Sequence, residues 1–184
     1  MINEILKMYK ELKLGGNEIC KTCKIENIKV KSGISRPISP WHIGKRFKDD
    51  FYKVMFVGKN ARGDDDNKRS DVIDATIFGK KALLNPFSAF WSYTGEIACR
   101  LYGPNLKDAI ESIAMANLIK CNNAMDDEGR NHDGTSVDYT TPLMKENCLN
   151  KMKVFWKEVD ILKPKHIILY THHDYDGYLE KFPN

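Results

Sequence analysis

The stretch Tyr52-Lys53-Val54-Met55-Phe56-Val57-Gly58-Lys59-Asn60-Ala61-Arg62-Gly63 decides the fold. It opens as a compact apolar run of strand length, and Gly58 stops it. An apolar run without alternation marks a strand buried on both faces. Two further runs of this kind follow, Ile113 to Ile119 and His166 to Tyr170. Helical patterns surround them. Ile2, Ile5, Leu6, Tyr9 and Leu12 make one helical face, ended by Gly15-Gly16. Ser88 to Tyr102 reads as a helix closed by Gly103-Pro104, and Leu106 to Glu111 as a short one. Met144 to Leu162 is the clearest, with Leu149, Met152, Phe155, Trp156, Val159 and Leu162 on one side and Pro164 beyond its end. Tyr175 to Phe182 begins another. Buried strands alternating with helices predict an α/β fold with a short parallel central sheet covered on both faces, an α/β/α sandwich. Residues 33–50 read as a long irregular segment, and 63–74 and 122–142 as polar loops.

The composition fits one soluble domain spanning residues 1–184, with 42% apolar and 29% charged residues. No apolar run approaches the roughly 18 residues that span a bilayer, and the N-terminus lacks the apolar stretch of a signal peptide. The expectation is a cytoplasmic monomer with no membrane contact, in a compartment where disulfides are not formed. A net charge of +4 permits a polyanionic partner without demanding one.

Four of the five cysteines then stand out. Cys20 and Cys23 form a C-x-x-C, Cys121 closes the second buried strand, and Cys148 lies near the start of the long helical pattern. Four thiolates from three places point to a bound metal or iron–sulfur cluster, with zinc as the alternative. Cys99, within Glu96 to Leu101, reads as a small core residue. In parallel sheets ligands sit at the carboxyl ends of the strands. Those ends are Gly58-Lys59-Asn60, Asn117 to Cys121 and Thr171-His172-His173. An Asn at a strand end can orient a water through its carboxamide, or it can serve a turn. Asn117 offers one acceptor and two donors, enough to read the edge of a nucleobase or to satisfy local backbone groups.

In this order and placement the motifs resemble the uracil-DNA glycosylase superfamily, most closely its iron–sulfur-containing classes. The shared features are a C-x-x-C after an N-terminal helix, strand–Gly-x-x-x-x-Gly, and strand–Asn-x-x-Lys-Cys. A further Cys opening a helix follows, then the ending Leu162-Lys163-Pro164-Lys165-His166-Ile167-Ile168-Leu169. The resemblance runs from about Cys20 to Tyr170. It implies an α/β/α sandwich that hydrolyses the N-glycosidic bond of uracil or a modified pyrimidine in DNA. It implies a four-iron, four-sulfur cluster on Cys20, Cys23, Cys121 and Cys148. Asn60 matches the water-positioning Asn of a Gly-x-Asn-Pro-Gly motif, and Asn117 the base-recognition Asn. Phe78 is the candidate to stack on the extruded base, while Phe87, Phe90 and Trp91 read better as core. Lys59 and Arg62 are placed to stabilise phosphate or the departing base, or are solvated charges.

The chain also departs from that pattern. Ala61-Arg62 stands where Pro-Gly is usual, and the Cys121–Cys148 interval is long. A His-Pro-Ser-like loop after a further strand is missing before Asn184, so the domain is expected to be incomplete at its C-terminus. His172 and His173 lie too early to replace it and read as an exposed pair. Two alternatives stay open. One is a non-catalytic nucleic-acid-binding module on the same fold. The other is a zinc-stabilised nuclease holding magnesium through Asp64-Asp65-Asp66 and Asp126-Asp127, runs that in polar loops are commonly just solvated. Repair and attack on modified foreign DNA are both compatible with the motifs.

Overall fold

A computed structural model of the chain describes residues 1–26, 34–61, 72–123, 140–171 and 173–179. The strands are β1 (Ile34–Pro37), β2 (His42–Ile43), β3 (Val54–Ala61), β4 (Ile113–Asn123) and β5 (His166–Leu169). The helices are α1 (Ile2–Glu11), α2 (Glu18–Glu26), α3 (Thr76–Leu84), α4 (Ala89–Tyr102), α5 (Leu106–Ala109), α6 (Pro142–Lys145), α7 (Val154–Leu162) and α8 (Asp176–Leu179).

The three expected runs are β3, β4 and β5, with β3 in the middle and parallel to both neighbours, but β5 lies at the end of the strand order and is only half-buried, with His166 exposed. The sheet is nevertheless mixed and open, not purely parallel. β1 pairs antiparallel with the Cys121–Asn123 end of β4, and β2 with Ala114 and Met115 of the same strand. Residues 33–50 hide both short strands, because a strand of two to four residues shows no periodicity among Gly, Pro and Ser. β3 also runs on through Gly58, Lys59 and Asn60, which the glycine had marked as loop.

Alternate residues of the central strands enter different layers, as a pleated strand requires. Met55, Val57, Ala114 and Ala116 pack with Ile5 and Tyr9 of α1 and with Phe155 and Leu162 of α7. Val54, Phe56, Ile113 and Met115 pack with Leu83 of α3, Trp91 and Ala98 of α4, and Ala109 of α5. Helices therefore cover both faces. Among the described residues no helix is long and apolar enough to cross a membrane.

Two local findings bear on the site. The C-x-x-C lies on helix α2. The Asn17 side chain accepts the Cys20 backbone N–H at 2.8 Å, capping α2. This puts Cys20 and Cys23 one turn apart on one face. The expected single helix from Met144 to Leu162 is interrupted. Thr141 caps α6, a π-helical turn over Glu146–Lys151 follows, and Lys153 takes a left-handed φ of 54° before α7 begins. The apolar spacing continues across this break, so periodicity alone conceals it.

Candidate functional site

The carboxyl ends of β3 and β4 bring the two asparagines together. Gly58 is paired with Asn117, and Asn60 lies two residues beyond Gly58 with Ile119 as its partner. Gly58, Asn60 and Asn117 therefore share one face, the face that holds α3 and α4. Lys59 points to the opposite face, in line with Val57. Arg62 lies outside the described residues, as do the acidic runs at 64–66 and 126–127.

Asn117 is 3% exposed and Asn60 9%. Neither the Nδ2 nor the Oδ1 of Asn60, nor the Nδ2 of Asn117, has a hydrogen-bond partner among the described residues. Buried polar groups are normally paired, so three orphaned amide atoms at one place require an explanation. A bound polar molecule supplies one. The Asn117 amide lies directly over Gly58. A Cβ at position 58 would stand 2.7 Å from Asn117 Oδ1 and 3.4 Å from the Phe90 ring. The glycine thus leaves the space the amide occupies, which is a reason for its presence beyond turn formation.

Phe90 is the aromatic residue against this spot. Its ring centroid is 5.0 Å from that of Trp91 and 5.2 Å from that of Tyr170. Phe78 stands one ring further out, 6.1 Å from Trp91 and 5.6 Å from Trp41, with half of its surface exposed. Composition could not choose between Phe78 and Phe90. His173 sits in an exposed turn, and His172 lies outside the described residues.

On the other face, Cys20, Cys23, Cys121 and Cys148 are all buried in one core cluster. Among the described residues none of them is in a disulfide. Burial pushes the Cys148 thiol up to about 12, with Cys20 and Cys23 adding to the rise. Burial also raises Cys121, and the other three cysteines add to it. Donors surround the sulfurs. The Gly15 backbone N–H donates to Cys20 Sγ at 3.2 Å, and Asn147 Nδ2 to Cys23 Sγ at 3.0 Å. The Lys120 backbone N–H reaches Cys148. Among the described residues no three His, Cys, Asp or Glu side chains are grouped closely enough to hold one metal ion. Cys99 is half-buried against the α3–α5 layer, away from these four.

A third feature was missed in the sequence. Lys120 and Glu158 form a fully buried ion pair with Nζ 2.5 Å from Oε2. Lys120 Nζ also donates to the Asn117 carbonyl, and the Tyr9 hydroxyl donates to Glu158 Oε1. Burial drives both groups toward neutrality, Lys120 down to about 7 and Glu158 well up. A signal was available, because Glu158 falls at helical spacing between the apolar Phe155 and Leu162.

No known family model matches the chain, and no curated protein or solved structure is similar to it.

Proposed function

We propose that the protein is a DNA glycosylase that excises uracil or a modified pyrimidine, with a four-iron cluster on its four buried cysteines. The observation that carries this reading is the pair of buried strand-end asparagines with unsatisfied amides on one sheet face beside Phe90.

The chemistry follows from these groups. A base inside a duplex is out of reach, so the nucleotide must be extruded at a cost of a few kcal/mol. The Asn117 amide and an aromatic ring then hold the base, with Phe90 in contact with the Asn117 site and Phe78 further out. Asn60 holds a water against the sugar C1′. A carboxamide is a poor base, so the C1′–N bond must be largely broken before that water adds, and the proton leaves to solvent or to the departing base. Lys59 faces the other layer, which gives it no direct part in this step; it is proposed instead as a charge near the DNA backbone, with Arg62.

Four buried cysteines support a bound cluster, with zinc as the alternative. The four thiols lie in one buried core cluster, and Cys121 interacts electrostatically with the other three. Amide N–H donors aimed at the sulfurs suit thiolates. The bound cluster would supply structural support, fixing α2 and the π-helical turn to the end of β4.

The test is an oligonucleotide carrying one uracil or one modified cytosine, incubated with protein and treated with alkali. Strand cleavage is expected, and Asn60→Ala should abolish it in a folded protein. Absence of cleavage on every such substrate rejects the reading. Salt-sensitive DNA binding without an abasic product would favour the non-catalytic module instead. A broad absorption near 400 nm with bound iron is expected, and a colourless protein with zinc opposes the cluster.

A further inference from the structure

We infer that Lys120 is a positioning residue for Asn117, clamping the backbone of the base-reading strand end through a buried relay to Glu158 and Tyr9. The inference rests on the glycosylase reading for its function, but its geometry stands apart from it.

Lys120 is 1% exposed, and a lysine buried so completely needs partners for its ammonium. Among the described residues it meets the Asn117 carbonyl three residues back in the same strand and Glu158 of α7, with the Phe155 ring 5.9 Å away. Glu158 takes the Tyr9 hydroxyl from α1 with its other oxygen. Three elements distant in sequence thus converge on one peptide group. Nζ donates to the carbonyl in either arrangement of the shared proton, so the clamp does not depend on which partner carries it.

Asn117 is in this way gripped at two points. Its carboxamide rests in the gap above Gly58, and its carbonyl is fixed by Lys120. A short amide can read a base edge only if its backbone does not shift. The proposed mechanism uses none of Lys120, Glu158 or Tyr9, and a buried charge pair kept for stability alone is readily replaced by apolar side chains.

The experiment is a double-mutant cycle on the single-uracil oligonucleotide. Glu158→Gln keeps an acceptor for Tyr9 and weakens the hold on Lys120. We expect kcat/KM to fall about 10–100-fold in a protein that still folds and keeps the absorption of the cysteine site, with a lowered melting temperature because one partner of a buried pair is neutralised. Placed in an Asn117→Ala background, the same change should add less than about 2-fold, because the residue it positions is gone. Full turnover in folded Glu158→Gln, or a loss that adds in full to Asn117→Ala, overturns the inference. Should Glu158→Gln fail to fold, Lys120→Met combined with Glu158→Leu removes the clamp without leaving a lone charge, and the same cycle applies. If the unaltered protein cleaves no substrate, the glycosylase reading falls on its own. The clamp is then read from a crystal structure of the Lys120→Met/Glu158→Leu protein. Displacement of the Asn117 amide from Gly58 supports it, and an unmoved amide overturns it.

Discussion

Gly58→Ala should separate folding from activity in one substitution. The new methyl would meet Asn117 Oδ1 at 2.7 Å, whereas ordinary contact begins at 3.4 Å, so the oxygen must retreat by about 0.7 Å. Gly58 lies in a strand and has no left-handed φ, so the backbone accepts alanine. The Phe90 ring already stands at 3.4 Å and need not move. The Asn117 amide must rotate off its rotamer, at about 0.5–1.5 kcal/mol. Alanine recovers about 0.4–1 kcal/mol by restricting the unfolded chain. The two nearly cancel, so the melting temperature should shift by no more than about 4 °C. The catalytic effect is much larger, because a displacement approaching 1 Å in a positioning group costs about 100-fold. The assay pairs thermal melting with single-turnover excision from the single-uracil oligonucleotide. Excision at the unaltered rate by a folded Gly58→Ala protein would refute the role given to Asn117. A collapsed melting temperature would refute the claim that the space above Gly58 belongs to a movable side chain.

Other outcomes follow from the same geometry. Gly79→Ala puts a methyl 2.0 Å from the Trp41 carbonyl oxygen, a backbone atom that cannot rotate away, and should destabilise by at least 1–3 kcal/mol in chemical denaturation. Cys148→Ser should abolish bound iron and the absorption near 400 nm, and retention of both would remove Cys148 from the ligand set. Phe90→Ala should reduce excision more than Phe78→Ala does, since the Phe90 ring abuts the Asn117 site; the reverse order would restore Phe78 as the stacking residue. His42 is buried with Nε2 2.7 Å from the Ile110 carbonyl, and burial holds its pKa below the ordinary value. The unfolded chain therefore takes up that proton first, and stability falls as pH drops below about 6.5. Melting curves between pH 7.5 and 5.5 should show the decline, by at most about 1.4 kcal/mol per pH unit, and His42→Gln should flatten it.

The central strands were legible because residues 54–57 and 113–116 are apolar and buried throughout, and β5 was legible from its apolar residues 167–169 although it is only half-buried. The frame of α1 and α4 was legible too, from helical spacing and glycine stops. The edge strands β1 and β2 were not, since their pairing depends on β4 and not on their own sequence. Helix α2 escaped because its decisive signal is the cap from Asn17, masked by the prominence of the two cysteines. Helix α3 follows a polar run and has no strong apolar face of its own. In the candidate site, residue type could name Asn60, Asn117 and the cysteines. It could not show that Lys59 turns to the opposite layer, which is a matter of pleat. Nor could it show that Phe90 abuts the strand ends, which depends on how α4 packs over β3.

The contact between Tyr9 and Glu158 spans 149 residues, and that between Cys23 and Asn147 spans 124. The N-terminal helices therefore dock on a surface that is synthesised more than a hundred residues after them. At about 5–20 residues per second, about seven to thirty seconds pass between the appearance of Tyr9 and that of its partner. During this interval Cys20 and Cys23 are out of the ribosome and accessible, while Cys148 has yet to be made. On the cluster proposed, loading must wait for Cys148 or begin on the first pair of thiols. The order of synthesis thus makes the N-terminal helices wait for the segment around Asn147 and Glu158 before they can close on it.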